Sequence, residues 1–172
     1  MPDAKASVAG PRLIAIGGLS GTGKSTLARA LAGRLPGALL LRSDVERKLQ
    51  FGVAETSRLG PEGYTPEVTE HVYRALAEKA AAALSGGRIV IVDAVFARPG
   101  ERTAIEAVAR TTTAPFLGLW LEAPQSIQIE RVEARRGDAS DATADIVTRQ
   151  AAYDLGDITW HRIDAATGPE RT

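Results

Sequence analysis

The stretch GLSGTGKS, from Gly18 to Ser25, constrains the fold more than any other part of the chain. It fits the pattern G-x-x-x-x-G-K-[ST] and lies between an apolar run, LIAIGG, and a helical pattern, KSTLARALAGRL. In such a strand–turn–helix unit the loop amides point inward, and the helix start adds a partial positive charge. The sequence therefore predicts a phosphate-binding loop directly after the first strand.

The polar groups of this loop have expected roles. Lys24 is expected to reach the β- and γ-phosphates of a nucleotide, and the Ser25 hydroxyl to ligate Mg²⁺. The residues expected to hold the nucleotide are Gly18, Ser20, Gly21, Thr22, Gly23, Lys24, Ser25 and Thr26. A glycine-rich turn without a ligand is the alternative, and the flanking strand and helix argue against it.

Apolar runs and helical patterns alternate along the whole chain. The predicted strands are 13–17, 38–41, 88–93, 115–121 and 158–163, and the predicted helices are 24–34, 66–84, 99–111, 124–136 and 142–155. The middle three runs are continuously apolar, which is typical of strands covered on both faces. The pattern predicts a three-layer α/β/α sandwich with a five-stranded parallel sheet, a small helical lid, and ligands at the carboxyl ends of the strands.

The composition indicates one domain without a strong charge bias. The chain has 172 residues, 24% of them charged, and a formal net charge of zero, so nothing global draws it to nucleic acid or membranes. It has no cysteine and two histidines, which excludes thiolate metal sites and disfavours a histidine-built one. No apolar run approaches the ~18 residues of a membrane span. We expect a flexible segment over 1–10, a single domain over 11–172, and a cytoplasmic location.

Asp44 stands in the stretch LRSDVERK, which follows the second predicted strand. Asp44 or Ser43 could cap the helix that follows. Because this strand should end beside the phosphate loop, Asp44 could instead accept the proton of a hydroxyl acceptor as general base. Arg47, one turn further on the same helical face, could bind an anionic group of that acceptor.

Asp93 ends the third predicted strand. Its carboxylate could bind Mg²⁺ through water or contact the acceptor, and capping of the next turn is the alternative.

The segment 51–65, which precedes the predicted helix 66–84, has no clear period, so it could be a flap over the substrate or a plain surface loop.

Three arginines, Arg131, Arg135 and Arg136, lie in or just after the helical pattern 124–136, next to a polar stretch at about 135–142 that we expect to form the lid. Arg131 and Arg135 are four residues apart and should share a helical face. Guanidinium groups that close over a triphosphate would stabilise charge on the transferred phosphoryl group. A solvated charged face is the alternative for at least one of them.

Other classes of phosphate-loop protein fit less well. The chain contains no asparagine, whereas switch GTPases read guanine with an Asn-Lys-x-Asp segment. The LSGG at 84–87 is similar to a transporter ATPase signature, but it directly precedes a predicted strand and is better interpreted as a helix end. A small nucleoside or metabolite kinase remains.

Five stretches carry a more specific resemblance: GLSGTGKSTLARALA, LRSDVERK, YTPEVTEHVYRALAEKA, IVIVDAVFARPGER and LWLEAPQSIQIERVEARRGDASDAT. Together they resemble the bacterial "predicted kinase" group of AAA-type phosphate-loop kinases, whose members occur alone or fused to an aminoglycoside-phosphotransferase-like domain. More distantly, the chain is similar to polynucleotide 5′-hydroxyl kinase, gluconate kinase, chloramphenicol phosphotransferase and zeta-type toxins. The resemblance to polynucleotide kinase implies a base and a substrate clamp at Asp44 and Arg47, and a lid step at Arg136-Gly137.

The resemblance implies Mg²⁺ and ATP as phosphoryl donor and a hydroxyl as acceptor. We expect a small-molecule acceptor such as a sugar, a sugar acid or an antibiotic-like compound. A nucleic-acid acceptor is less favoured because the chain is neutral and only 5% aromatic. A polynucleotide 5′-hydroxyl kinase-like enzyme and a nucleotide-binding regulatory module without an acceptor are the alternatives.

Overall fold

The computed structural model describes residues 10–167. The strands are β1 (Arg12–Gly17), β2 (Leu39–Arg42), β3 (Ile89–Asp93), β4 (Phe116–Glu122) and β5 (His161–Asp164). The helices are α1 (Lys24–Arg34), α2 (Ser43–Gln50), α3 (Pro66–Ser85), α4 (Pro99–Thr111), α5 (Gln125–Ala134) and α6 (Ala144–Gln150), with a 3-10 helix at Pro61–Tyr64. The flexible segment expected at 1–10 lies outside the described residues except for Gly10.

The strands form one parallel sheet in the order β2-β3-β1-β4-β5. The register places Asp93 beside Ile16 on one side and beside Arg42 on the other. The ends of β1, β2 and β3 therefore meet at one edge of the sheet, where ligands bind in open α/β sheets. The predicted three-layer α/β/α sandwich is confirmed.

Alternate residues of the strands bury opposite faces of the sheet. In β1, Leu13 and Ala15 join a core with α3 and α4, whereas Ile14 and Ile16 join a second core with α1. All five residues of β3 are buried. This two-sided burial explains the continuous apolar runs in the sequence.

The predicted helices 24–34 and 99–111 have the bounds found in the structure, but the last predicted helix, 142–155, is too long. The helix ends at Gln150. Beyond it, the guanidinium of the buried Arg102 on α4 donates hydrogen bonds to Leu155 O at 2.5 Å and to Asp157 O at 3.3 Å. Residues 153–159 are irregular chain, which these bonds anchor to α4. The expected lid at 135–142 is irregular chain between α5 and α6.

The expected cap of the second helix is wrong. Helix α2 begins at Ser43, directly after β2, so Arg42 is its N-cap and no side chain makes a capping hydrogen bond there. Neither Ser43 nor Asp44 therefore acts as the cap.

Within residues 10–167, none of the helices has the length and apolar character needed to cross a membrane.

Candidate active site

A large cleft opens at the carboxyl edge of the sheet, between the phosphate loop, the start of α2 and the segments 58–64 and 134–143. Every candidate site residue except Gly18 lines this cleft: Ser20, Gly21, Thr22, Gly23, Lys24, Ser25, Thr26, Asp44, Arg47, Asp93, Arg131, Arg135 and Arg136. Residues predicted from four separate stretches thus lie around one space.

The phosphate loop takes a backbone path that only glycine adopts readily at three of its positions, Gly18, Gly21 and Gly23. Gly21 has φ 82° and Gly23, the N-cap of α1, has φ 96°. Lys24 Nζ donates to Leu19 O at 3.0 Å, and Thr22 Oγ1 donates to the same carbonyl at 2.8 Å. Loss of hydration lowers the pKa of the Lys24 ammonium, although Asp93 and Asp44 act in the opposite direction. A bound phosphate would place a negative charge next to this ammonium and stabilise its charged form.

Gly21→Ala is expected to weaken nucleotide binding by about tenfold or more, because a left-handed residue other than glycine costs about 1–2 kcal/mol. A Cβ at Gly21 would also lie 2.8 Å from Gln128 Cα on α5, so the loop would have to move. Isothermal titration with ATP measures the effect.

Gly33→Ala is the matched control for this substitution. Gly33 is exposed in α1 with free space around it, so the same added methyl group should leave ATP binding unchanged and raise the free energy of unfolding by up to about 1 kcal/mol. Equal ATP affinity in both variants would contradict the role of Gly21.

Ser25 and Asp93 form a pair at the base of the phosphate loop. Ser25 Oγ donates to Asp93 Oδ2 at 2.6 Å, and Asp93 is only 4% exposed. Mg²⁺ is usually held by one or two carboxylates together with waters and substrate phosphates, so this hydroxyl–carboxylate pair fits the ion. Residues 10–167 hold no group of three or more His, Cys, Asp or Glu side chains suited to a metal.

Arg42 contacts the Ser25–Asp93 pair and was not identified from the sequence. Its guanidinium donates from Nε to Asp93 Oδ2 at 3.1 Å, and from Nη2 to Ser25 Oγ at 3.0 Å and Asp138 Oδ1 at 2.9 Å. Burial lowers the pKa of Arg42, but Asp138 and Asp93 raise it more, so it stays above its ordinary value. Its place at the end of β2 was the only sequence signal, because polar side chains there face the ligand edge.

Asp44 is half-buried in the wall of the cleft. Burial and the neighbouring Asp93 raise the pKa of its carboxyl group, while Lys24, Arg42 and Arg47 oppose this shift. A carboxyl group whose pKa is raised holds a transferred proton more readily than an ordinary aspartate does.

Arg47 lies one turn beyond Asp44 and is 6% exposed. Its Nη1 donates to Gly63 O at 2.8 Å, and its guanidinium carbon lies 4.8 Å from the centre of the Tyr64 ring. Its Nε is buried and has no hydrogen-bond partner among the described residues. A buried guanidinium nitrogen without a partner is costly unless a ligand supplies an acceptor.

The three arginines expected to form the lid occupy different environments. Arg131 holds the phosphate loop, because its Nη2 donates to Ala165 O at 2.7 Å and its Nη1 to Thr22 O at 3.4 Å. Arg135 lies beyond the end of α5 and pairs with Asp138 at 3.6 Å, so it does not share a helical face with Arg131 as expected. Arg136 is exposed and donates to the carbonyls of Glu133 and Arg135.

Asp141 joins three segments around the cleft and was also missed. Its carboxylate pairs with Lys48 Nζ at 2.8 Å and accepts hydrogen bonds from Leu59 N at 3.1 Å and from the Tyr64 hydroxyl. Lys48 is 1% exposed and donates to Ser57 O as well. The segment 57–64 is thereby fastened to α2 and to the lid.

Comparison with known families gives one match over most of the chain. The sequence profile of the family described as AAA domain matches residues 13–153.

Two curated relatives differ in how much of their length the chain covers. An uncharacterized protein of Mycobacterium tuberculosis, Rv2004c, is 35% identical over 164 residues, which are 94% of this chain and 33% of that protein. The chain therefore spans about a third of the length of the curated relatives it matches first. A shikimate kinase of Bradyrhizobium diazoefficiens is 29% identical over 167 residues, covering 89% of this chain and 72% of that protein.

Among solved structures, a gluconokinase from Sinorhizobium meliloti has the same fold. The TM-score is 0.64 at 20% identity, over 92% of this chain and 85% of that one. At this identity the likeness shows the fold alone.

Proposed function

The chain belongs to the AAA domain family, and on that premise we propose that it is an ATP-dependent kinase that phosphorylates a hydroxyl group of a small molecule. The observation that carries the proposal is the meeting of Lys24, the Ser25–Asp93 pair and the half-buried Asp44 in one cleft. One of the similar proteins is a kinase by name, a shikimate kinase, which supports a small-molecule acceptor.

On the donor side, the residues of the phosphate loop bind and orient the triphosphate. The loop amides and Lys24 would contact the β- and γ-phosphates, and Ser25 and Asp93 would hold Mg²⁺, which when bound supplies charge at the phosphate oxygens. Arg131 is already fixed against the loop, because its Nη1 donates to Gly21 O and Thr22 O while its Nη2 is anchored on Ala165 O, so its positive charge adds to the field at the phosphates.

On the acceptor side, Asp44 would orient the attacking hydroxyl and take its proton. The acceptor oxygen forms a bond to the γ-phosphorus, the bond from that phosphorus to the bridging oxygen breaks, and ADP leaves with the bond electrons. The acceptor proton moves to the Asp44 carboxylate, whose raised pKa favours its capture.

Arg47 supports an acceptor that carries a negative charge. Its Nε has no hydrogen-bond partner within residues 10–167, and its Nη1 is already anchored on Gly63, so the guanidinium can present its remaining donors to an anion in the cleft. A sugar acid, with a carboxylate for Arg47 and a hydroxyl for Asp44, meets both requirements.

The test is incubation with γ-labelled ATP and a panel of acceptors, with Asp44→Asn and Lys24→Ala as controls. The panel contains neutral sugars, sugar acids, aminoglycosides and a 5′-hydroxyl oligonucleotide. We expect label in a sugar acid and none with either variant. Label in the oligonucleotide alone would favour an end-processing enzyme, and tight ATP binding without any labelled product would favour a regulatory module.

Arg47→Ala is expected to raise the KM for an anionic acceptor by about 10–100-fold, because a hydrogen bond to a charged group contributes about 1.5–3 kcal/mol. The KM for ATP should change little, since Arg47 faces the acceptor side of the cleft. Steady-state kinetics with each substrate varied in turn measures both values.

Arg74→Ala is the matched control, because Arg74 is exposed on α3 outside the cleft. An Arg47→Ala variant that changed the two KM values equally would contradict the acceptor role.

A further inference from the structure

The guanidinium of Arg42 lies against the two side chains that fit a metal ion. Arg42 is 9% exposed, and it contacts Asp93 Oδ2 at 3.1 Å and Ser25 Oγ at 3.0 Å. These are the same two oxygen atoms that hydrogen-bond to each other at 2.6 Å. Arg42 therefore makes charge-assisted contacts with both members of the pair at once.

A guanidinium group and a metal ion cannot use these oxygen atoms in the same way. The guanidinium is always charged and has no lone pair, so it can neither ligate a cation nor deprotonate to make room for one. A divalent cation within a few ångströms of it would be repelled, and the low dielectric of a buried site strengthens that repulsion. Arg42 and the cation must compete for Asp93.

Asp138 gives Arg42 a second anionic partner on the other side. Its Oδ1 accepts from Arg42 Nη2 at 2.9 Å and from Arg29 Nη2 at 3.1 Å, and Arg135 pairs with its Oδ2 at 3.6 Å. Asp138 belongs to the irregular segment between α5 and α6, whereas Asp93 is fixed at the end of β3. Arg42 thus contacts both Asp93 at the floor of the cleft and Asp138 in the lid.

We propose that Arg42 is a positioning residue that competes with Mg²⁺ for Ser25 and Asp93, and that Asp138 takes up its guanidinium when the metal–nucleotide complex binds. The inference rests on the proposed function, since it concerns the metal of the same site. Metal binding is then coupled to the lid: the ion displaces Arg42 from Asp93, and the displaced charge tightens the contact with Asp138. Mg²⁺ binding and the lid contact through Asp138 are therefore coupled, because both depend on the position of the Arg42 side chain.

The experiment measures how strongly the metal assists nucleotide binding. The dissociation constant of the non-hydrolysable ATP analogue AMPPNP is determined by calorimetry for the 172-residue chain, once in EDTA and once in saturating Mg²⁺. The metal coupling is the dissociation constant in EDTA divided by the dissociation constant in Mg²⁺. Arg42→Gln is expected to raise this ratio by about tenfold or more, because a positive charge next to the ion is removed. Arg42→Lys keeps the charge and should stay near the wild-type ratio.

Arg29→Gln is the matched control for the loss of one positive charge near Asp138. Arg29 contacts Asp138 but neither Ser25 nor Asp93, and its side chain is 53% exposed. Its substitution should leave the ratio within about twofold of wild type, because solvent screens an exposed charge. An equal rise in Arg29→Gln and Arg42→Gln would overturn the inference.

A double-mutant cycle separates the competition from a general charge effect. Asp138→Asn should lower the ratio, since Arg42 then has only Asp93 as its anionic partner. In an Arg42→Gln background the same Asp138→Asn change should have no effect, whereas independent charge effects would add. Additive effects would therefore overturn the inference.

Three further outcomes are decisive. If Arg42→Gln shows no cooperative thermal transition and therefore does not fold, the test rests on Asp138→Asn alone. An unchanged or higher ratio in Asp138→Asn then overturns the inference. A wild-type ratio of one would overturn the proposed metal site together with the inference. A wild-type ratio well above one that Arg42→Gln leaves unchanged would overturn the inference only.

Discussion

Asp44→Asn is expected to lower the turnover of phosphoryl transfer by about 10²–10⁴-fold, because a carboxamide cannot take the proton of the acceptor hydroxyl. ATP binding should remain close to wild type, since the phosphate loop and the Ser25–Asp93 pair are untouched. Initial rates with γ-labelled ATP and the acceptor found in the panel measure the turnover, and calorimetry measures ATP affinity. Full turnover in Asp44→Asn, together with its loss in Lys24→Ala, would contradict the base assignment.

The same substitution should not destabilise the fold at neutral pH. Burial raises the pKa of the Asp44 carboxyl group above its value in the unfolded chain, so the folded protein favours the protonated form. The stability this gives is fully present below the unfolded pKa and is lost as pH rises through the folded pKa. At pH ~7 the Tm of Asp44→Asn should therefore equal or exceed that of wild type, with the gap closing in acid. A lower Tm would indicate a structural role.

The pH profile gives a further readout of Asp44. If Asp44 accepts the proton, kcat falls on the acidic side as the carboxylate becomes protonated, and the raised pKa moves this limb to higher pH than an ordinary aspartate gives. Asp145→Asn, at an exposed position of α6 away from the cleft, is the matched control and should leave both rate and profile unchanged.

Asp141→Asn is expected to lower the free energy of unfolding by about 3–5 kcal/mol, because removal of one partner leaves a buried charge uncompensated. The Lys48 ammonium is 1% exposed and loses its charge partner, and Tyr64 faces an amide in place of a carboxylate. Urea unfolding followed by circular dichroism measures the change.

A second substitution distinguishes the buried charge from other effects of changing Asp141. In the double variant Lys48→Met/Asp141→Asn no unpaired charge remains, so most of the lost stability should return. Glu122→Gln breaks the exposed Arg162–Glu122 pair and should cost less than about 1 kcal/mol. Equal losses in Asp141→Asn and Glu122→Gln would contradict the role assigned to Lys48.

The sheet and the phosphate loop were predictable because their signals are local. Apolar runs indicate strands wherever both faces are covered, and the Gly18–Ser25 pattern carries its own backbone requirement. Asp44 and Asp93 could be placed in the same cleft because parallel strands end at one edge of the sheet.

The contacts that organise the lid were not predictable in this way. Arg42 and Asp138 are 96 residues apart, and Lys48 and Asp141 are 93 residues apart. Both aspartates stand in a polar stretch without periodicity, where sequence alone does not say which distant cation approaches. The cap assignment failed for a related reason: β2 passes into α2 without an intervening residue, and local propensity does not reveal so abrupt a junction.

The carboxylate of Asp141 also limits where the acceptor side of the cleft can be redesigned. Ser57, Leu59 and Tyr64 are tied through Lys48 and Asp141 to the segment that faces the donor, so a substitution among them disturbs both substrates. The preceding residues 51–56 are exposed. They do not line the cleft, whereas the exposed Arg58 does, so variation in acceptor preference, whether by engineering or by divergence between related chains, is least costly at Arg58.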